Sequence, residues 1–209
     1  MRFFFAILSI IALIFKAASA SPMSPSDFNV MAVLSLLTTQ GVIHWTDAEG
    51  GQLTSIPNDA WDNAVAKLSL AGSSAVITST LRKRDGVQIS NSCFNSGSWA
   101  KQAVLKNHVD DACNAFNGGF LGNGSKLVWK ARDKNSEDDD MWIVFTEDIK
   151  LWTRAAQDTC GNALRQQIMA MSCSGASEDT RGGTATVKDL QNNVLVLYSL
   201  DPTTDNCNC

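Results

Sequence analysis

Histidine and tyrosine are scarce in this chain, at two and one residues, and no cysteine occurs before Cys93. After residue 84 the only histidine is His108, so a Ser-His-Asp set or a Cys-His pair would have to use it. It stands beside Asp110 and Asp111 with no Gly-x-Ser-x-Gly elbow in the chain, and reads as an exposed helix residue. No catalytic residue is assigned. No Cys-x-x-Cys occurs, which argues against zinc, and the sequence points to no metal or cofactor. Cations are outnumbered, with 17 Lys+Arg against 21 Asp+Glu and a net charge of −4. Nucleic-acid binding needs clustered cations to neutralise phosphates, so that class is disfavoured. Past residue 15 no apolar run approaches the roughly 20 residues that a bilayer crossing takes, so no stable membrane insertion is expected.

The one long apolar run stands at the start. Phe3 to Phe15 follows Met1-Arg2 and precedes Ala18-Ser19-Ala20, a small-x-small site before Ser21-Pro22. This pattern predicts a signal peptide over 1–20, removed after Ala20, and hence a secreted, extracellular protein. The six cysteines are Cys93, Cys113, Cys160, Cys173, Cys207 and Cys209. An even number in an exported chain predicts up to three disulfides, with every pairing open. Cys207 and Cys209 are too close to pair easily with each other, so each is expected to reach back into the domain. Asn123-Gly124-Ser125 is an N-glycosylation acceptor in a polar loop.

Leu81-Arg82-Lys83-Arg84-Asp85 divides a cysteine-free segment, 21–84, from a cysteine-bearing one, 85–209. Adjacent cations suit the acidic cleft of a kexin-like processing protease; a solvated surface cluster is the alternative. The placement of Lys83-Arg84 just ahead of the cysteines favours processing, which makes 21–84 a pro-segment. It is rich in apolar residues, with helical patterns over Asp27–Leu37 and Asn58–Leu70 and an extended stretch at Gly41–Trp45. That much apolar surface implies packing on another body, most simply the domain that follows.

From residue 85 the periodicities give β-α-β-β-α-β-β. Strands are predicted at Gly86–Ser90, Lys126–Arg132, Met141–Thr146, Thr184–Leu190 and Val194–Leu200. The first helix opens after Ser98, carries Leu105, Val109, Ala112 and Phe116 on one stripe, and stops at Gly118-Gly119. The second is predicted over Ile149–Met171, with a break near Gly161. Gln191-Asn192-Asn193 reads as a hairpin turn. The expected fold is a disulfide-stabilised α+β two-layer sandwich, an antiparallel sheet with two helices on one face in a split β-α-β arrangement.

Acid pairs for glycoside hydrolysis could come from Glu137–Asp140 or Glu147-Asp148, although the first run reads as a solvated hairpin tip. Trp99, Trp129, Trp142 and Trp152 could serve in the core or as a binding platform. Trp142 alternates with Met141 and Ile143 and points to the opposite face, expected to be free of helices, which makes it the candidate binding residue.

The plan of the chain resembles that of fungal small secreted cysteine-rich proteins. It has a leader ending at Ala20, a cysteine-free segment, a Lys83-Arg84 site, and a disulfide domain from Cys93 to Cys209. The strand–helix order, Gly182-Gly183, Leu200-Asp201-Pro202 and the terminal cysteines are similar to smut-fungus killer toxins. The resemblance implies a secreted effector or toxin-like glycoprotein, acting in virulence or competition by binding a host or competitor protein or glycan. It assigns no role to any single residue. Two alternatives stay open: a small carbohydrate-active hydrolase using an acid pair, and a cell-wall-binding protein using exposed tryptophans.

Overall fold

The computed structural model describes residues 30–69, 80–84, 86–94, 98–118, 125–133, 141–151, 159–169, 173 and 179–204. The expected leader with Ala20, the expected acceptor Asn123, the Glu137–Asp140 run, Trp152, Cys207 and Cys209 lie outside these residues.

Segment 85–209 has the expected disulfide-stabilised α+β layout. Strand β4 (Val87–Cys93) leads through a two-residue strand, β5 (Ala100–Lys101), into helix α3 (Gln102–Gly118). Strands β6 (Ser125–Arg132) and β7 (Met141–Ile149) follow. Helix α4 (Cys160–Asn162) continues as a π-helix over Ala163–Met169. A short β8 (Asp179–Thr180), then β9 (Gly183–Asp189) and β10 (Val194–Thr204), complete the described part. Ahead of them stand α1 (Val30–Thr39), β1 (Thr46–Ala48), β2 (Gly51–Pro57), α2 (Asn58–Ser69) and β3 (Thr80–Arg84).

Eight strands form one sheet in the order β1-β2-β6-β7-β10-β9-β4-β3, with every neighbouring pair antiparallel. Strands β5 and β8 form a separate ribbon. The split β-α-β unit occurs twice. Strands β7 and β9, joined through α4, run parallel with β10 between them; β4 and β6, joined through α3, run parallel with three strands between them.

Strand alternation sorts the core into two clusters. Leu127, Trp129, Ile143, Phe145, Tyr198 and Leu200 face α3 and the α4 helix, meeting Leu105, Val109, Phe116 and Leu164. Val128 and Val144 face the other way, onto Val33, Leu34 and Leu37 of α1 and Trp61 of α2. Residues 30–69 thus add a further helical layer and two strands. The apolar residues of 30–69 pack on Val128 and Val144 of the strands that follow, and each fully buried Leu or Val contributes about 2 kcal/mol to that packing.

Two local readings change. The helix predicted from Ile149 does not begin there, because β7 runs on to Ile149, whose register partner is Val196 of β10. Main-chain pairing on both sides overrides a polar sequence, Thr146-Glu147-Asp148, that does not resemble a strand. The break near Gly161 occurs as a switch from α to π geometry at Ala163. The β9–β10 turn forms as expected. Asn192 takes φ 70°, and Asn193 donates from its backbone and side-chain nitrogens to the Asp189 carboxylate, each at 2.8 Å.

The disulfides Cys93–Cys173 and Cys113–Cys160 join β4 to the stretch before β8, and α3 to the start of α4. Four of the six cysteines are thus paired with one another, and the expected pairing of Cys207 and Cys209 lies outside the described residues.

Candidate functional site

Strand β6 reads Lys126-Leu127-Val128-Trp129-Lys130-Ala131-Arg132, so its cations share one face with Val128 while Leu127, Trp129 and Ala131 share the other. On β7, Trp142, Val144, Thr146 and Asp148 lie on the cationic face. The register pairs Arg132 with Trp142, Lys130 with Val144, and Lys126 with Asp148.

This face changes character along its length. At one end Lys126 Nζ lies 2.9 Å from Asp148 Oδ2, and Lys150 Nζ lies 3.0 Å from Asp148 Oδ1. Asn58 of α2 donates to the same Oδ1 at 3.4 Å. Burial alone would raise the Asp148 pKa, but the two ammonium groups outweigh it and hold the carboxyl below its usual value. The middle is the apolar contact of Val128 and Val144 with α1. At the far end side chains stack. Lys130 Nζ sits 4.0 Å from the Trp45 ring centroid and 4.7 Å from that of Trp142, and the Arg132 guanidinium lies 5.3 Å from the Trp142 centroid. Trp45, Lys130 and Trp142 are half-buried and Arg132 is exposed. Such pairs are worth about 0.5–2 kcal/mol, more as water is excluded. The Trp142 indole N–H is buried and has no hydrogen-bond partner, whereas that of Trp45 donates to Thr38 Oγ1 at 3.3 Å.

Trp142 therefore takes the orientation expected of it, on a face shared with α1 and α2 rather than bare of helices. The other candidates are dispersed. Trp129 is a core residue whose indole N–H donates to the Ala48 carbonyl at 2.9 Å. Trp99 is 45% exposed, with the Arg181 guanidinium 4.3 Å from its ring centroid. His108 is half-buried rather than exposed, 5.9 Å from the Trp129 ring and 3.8 Å from the Asp111 carboxylate.

Glu147 and Asp148 do not form an acid pair, because consecutive strand residues point to opposite faces. Glu147 is buried in the α3 side of the sheet, accepting from the Tyr198 hydroxyl at 3.0 Å, and burial raises its pKa to about 7. Asp201, paired in register with Val144, is likewise pushed up to about 7 by burial. Among the described residues no group of three or more His, Cys, Asp or Glu is arranged to hold a metal ion.

Lys83 and Arg84 end β3, the outermost strand of the sheet. Arg84 pairs with Val87, so only Asp85 and Gly86 stand between β3 and β4.

Sequence reasoning missed Trp45, Lys130 and Arg132. The period-2 alternation of β6 was the available signal for the two cations; nothing local ties Trp45 to them. No protein-family model, curated protein or solved structure matches the chain.

Proposed function

We propose that this chain is a secreted protein that acts by binding a macromolecular target, a host or competitor protein, after leader removal and cleavage behind Lys83-Arg84. The observation that carries this reading is the stack of Trp45, Lys130, Trp142 and Arg132, which reaches the surface beside the second core. Indole and guanidinium groups concentrate binding energy at interfaces, since each brings a large rigid area with little rotamer entropy to lose. Sugar stacking calls for a bare ring face, and the Trp142 ring already carries two cations, so a protein target is favoured over a glycan. The two disulfides fit an oxidising destination, and no helix among the described residues is long and apolar enough to cross a membrane. The effector or toxin-like role is supported by the maturation plan of the chain.

Two measurements test this. The intact mass of secreted protein, reduced and unreduced, is expected to give chains beginning at Ser21 and Asp85. Purified protein infiltrated into leaf tissue, or applied to competing yeast, is expected to change cell survival or defence output. The double variant Trp142→Ala with Arg132→Ala should lose at least tenfold in potency while keeping its circular dichroism. Equal potency, or sugar release from polysaccharides by the native protein, overturns the reading.

A further inference from the structure

A pro-segment is expected to leave once it is cut, but the contacts of 30–69 and 80–84 are those of a structural part. Strand β2 pairs with β6 over six consecutive residues, Gln52–Pro57 against Lys130–Ser125, and so occupies what would otherwise be the free edge of β6. At the opposite margin β3 pairs with β4 over five residues. Between these edges Ile56, Leu34 and Leu37 are almost wholly buried against Val128 and Val144. Polar contacts cross the same boundary: Asn58 to Asp148, Trp129 to the Ala48 carbonyl, and Lys126 over the Trp61 ring at 5.0 Å. The segment has no cysteine, so nothing covalent would hold it after a cut.

We infer that cleavage behind Arg84 does not shed the N-terminal piece: it stays as a second, non-covalently bound chain of the mature protein. This inference rests on the maturation reading above and alters what that reading delivers. The recognition site then belongs to both chains, because Trp45 comes from the N-terminal piece while Lys130, Trp142 and Arg132 come from the other. Loss of the piece would strip the Trp45 face from Lys130, bare the β6 edge and expose Val128 and Val144 together. An unpaired strand beside an apolar face is a surface for aggregation, which retention avoids.

The test uses the full secreted chain with a site-specific protease sequence inserted between Arg84 and Asp85, so that the cut does not depend on native processing. After cutting, denaturing mass spectrometry is expected to show two pieces and native mass spectrometry one particle of their summed mass, at micromolar concentration and after a thousandfold dilution. The same cut in an Ile56→Asp chain, first shown by circular dichroism to be folded, should raise the separated fraction at least tenfold. Separation of the native pieces at micromolar concentration overturns the inference, and so does an Ile56→Asp chain that is folded and holds its pieces equally well. A native secreted protein left uncut at Arg84 counts against the maturation reading alone, because the inserted site still decides this question.

Discussion

Glu147 and Asp148 are adjacent, yet their environments push them in opposite directions. Glu147 lies in an apolar core and accepts from a neutral donor, Tyr198, whereas Asp148 has Lys126 and Lys150 within 3.0 Å. The folded chain therefore holds the Glu147 proton up to about pH 7, while the unfolded chain releases it near 4.5. Between those values the folded state binds more protons, so stability falls as pH rises through the window, by on the order of 3 kcal/mol. Asp201, raised from 3.8 to about 7, acts in the same direction. Asp148 is lowered, so its contribution is lost only as pH drops below 3.8. Thermal unfolding should thus give the highest Tm at about pH 4 and a decline toward about pH 8. Glu147→Gln keeps an acceptor for Tyr198 and removes the charge, so it should flatten that decline and raise Tm at the alkaline end. An unchanged slope would show that the carboxyl titrates normally.

The elements depend on two features that hydrophobic patterning does not encode. Strand β9 begins directly after Gly182, whose φ is +78° and where an added Cβ would lie 2.0 Å from the Leu200 carbonyl oxygen. Only glycine lets the chain turn into β9 that close to β10. Gly182→Ala is expected to cost about 2 kcal/mol or more, read as a lower denaturant midpoint with an unchanged m value. Strand β3 carries Arg82-Lys83-Arg84 at the sheet margin, where basic residues also discourage pairing with another chain. A processing protease binds its substrate extended, so the proposed cleavage behind Arg84 would require β3 to leave β4 first. A strand bonded on one side peels more readily than one bonded on both. Hydrogen exchange should therefore be at least tenfold faster over Thr80–Arg84 than over β10; equal protection would mean that cleavage precedes folding.

Over the whole molecule the disulfides close loops of 47 and 80 residues, linking the two helices of one layer to each other and β4 to the approach to β8. On the chain-entropy account each is worth about 4 kcal/mol. The paired change Cys113→Ser with Cys160→Ser should lower the unfolding free energy by about 2–4 kcal/mol, measurable in urea. Much of the layout was legible in advance, because local periodicity reports local structure. The alternation in Lys126–Arg132 and Met141–Phe145, the Leu105–Phe116 stripe, and the turn at Asn192 each needed only a few neighbouring residues to be read. Strands β1, β2 and β3 were missed because they are edge or near-edge strands with weak alternation, held by partners far along the chain. The sequence by itself determined which side chains share a face, how the cysteines divide the chain, and where a dibasic site falls. Only the tertiary structure decided that residues 30–69 cover the β6–β7 face, that Cys93 meets Cys173, and that Trp45 completes the stack begun by Lys130. Those are choices among distant pairings, fixed by how two apolar faces and eight strand edges close together, and no short window of residues contains them.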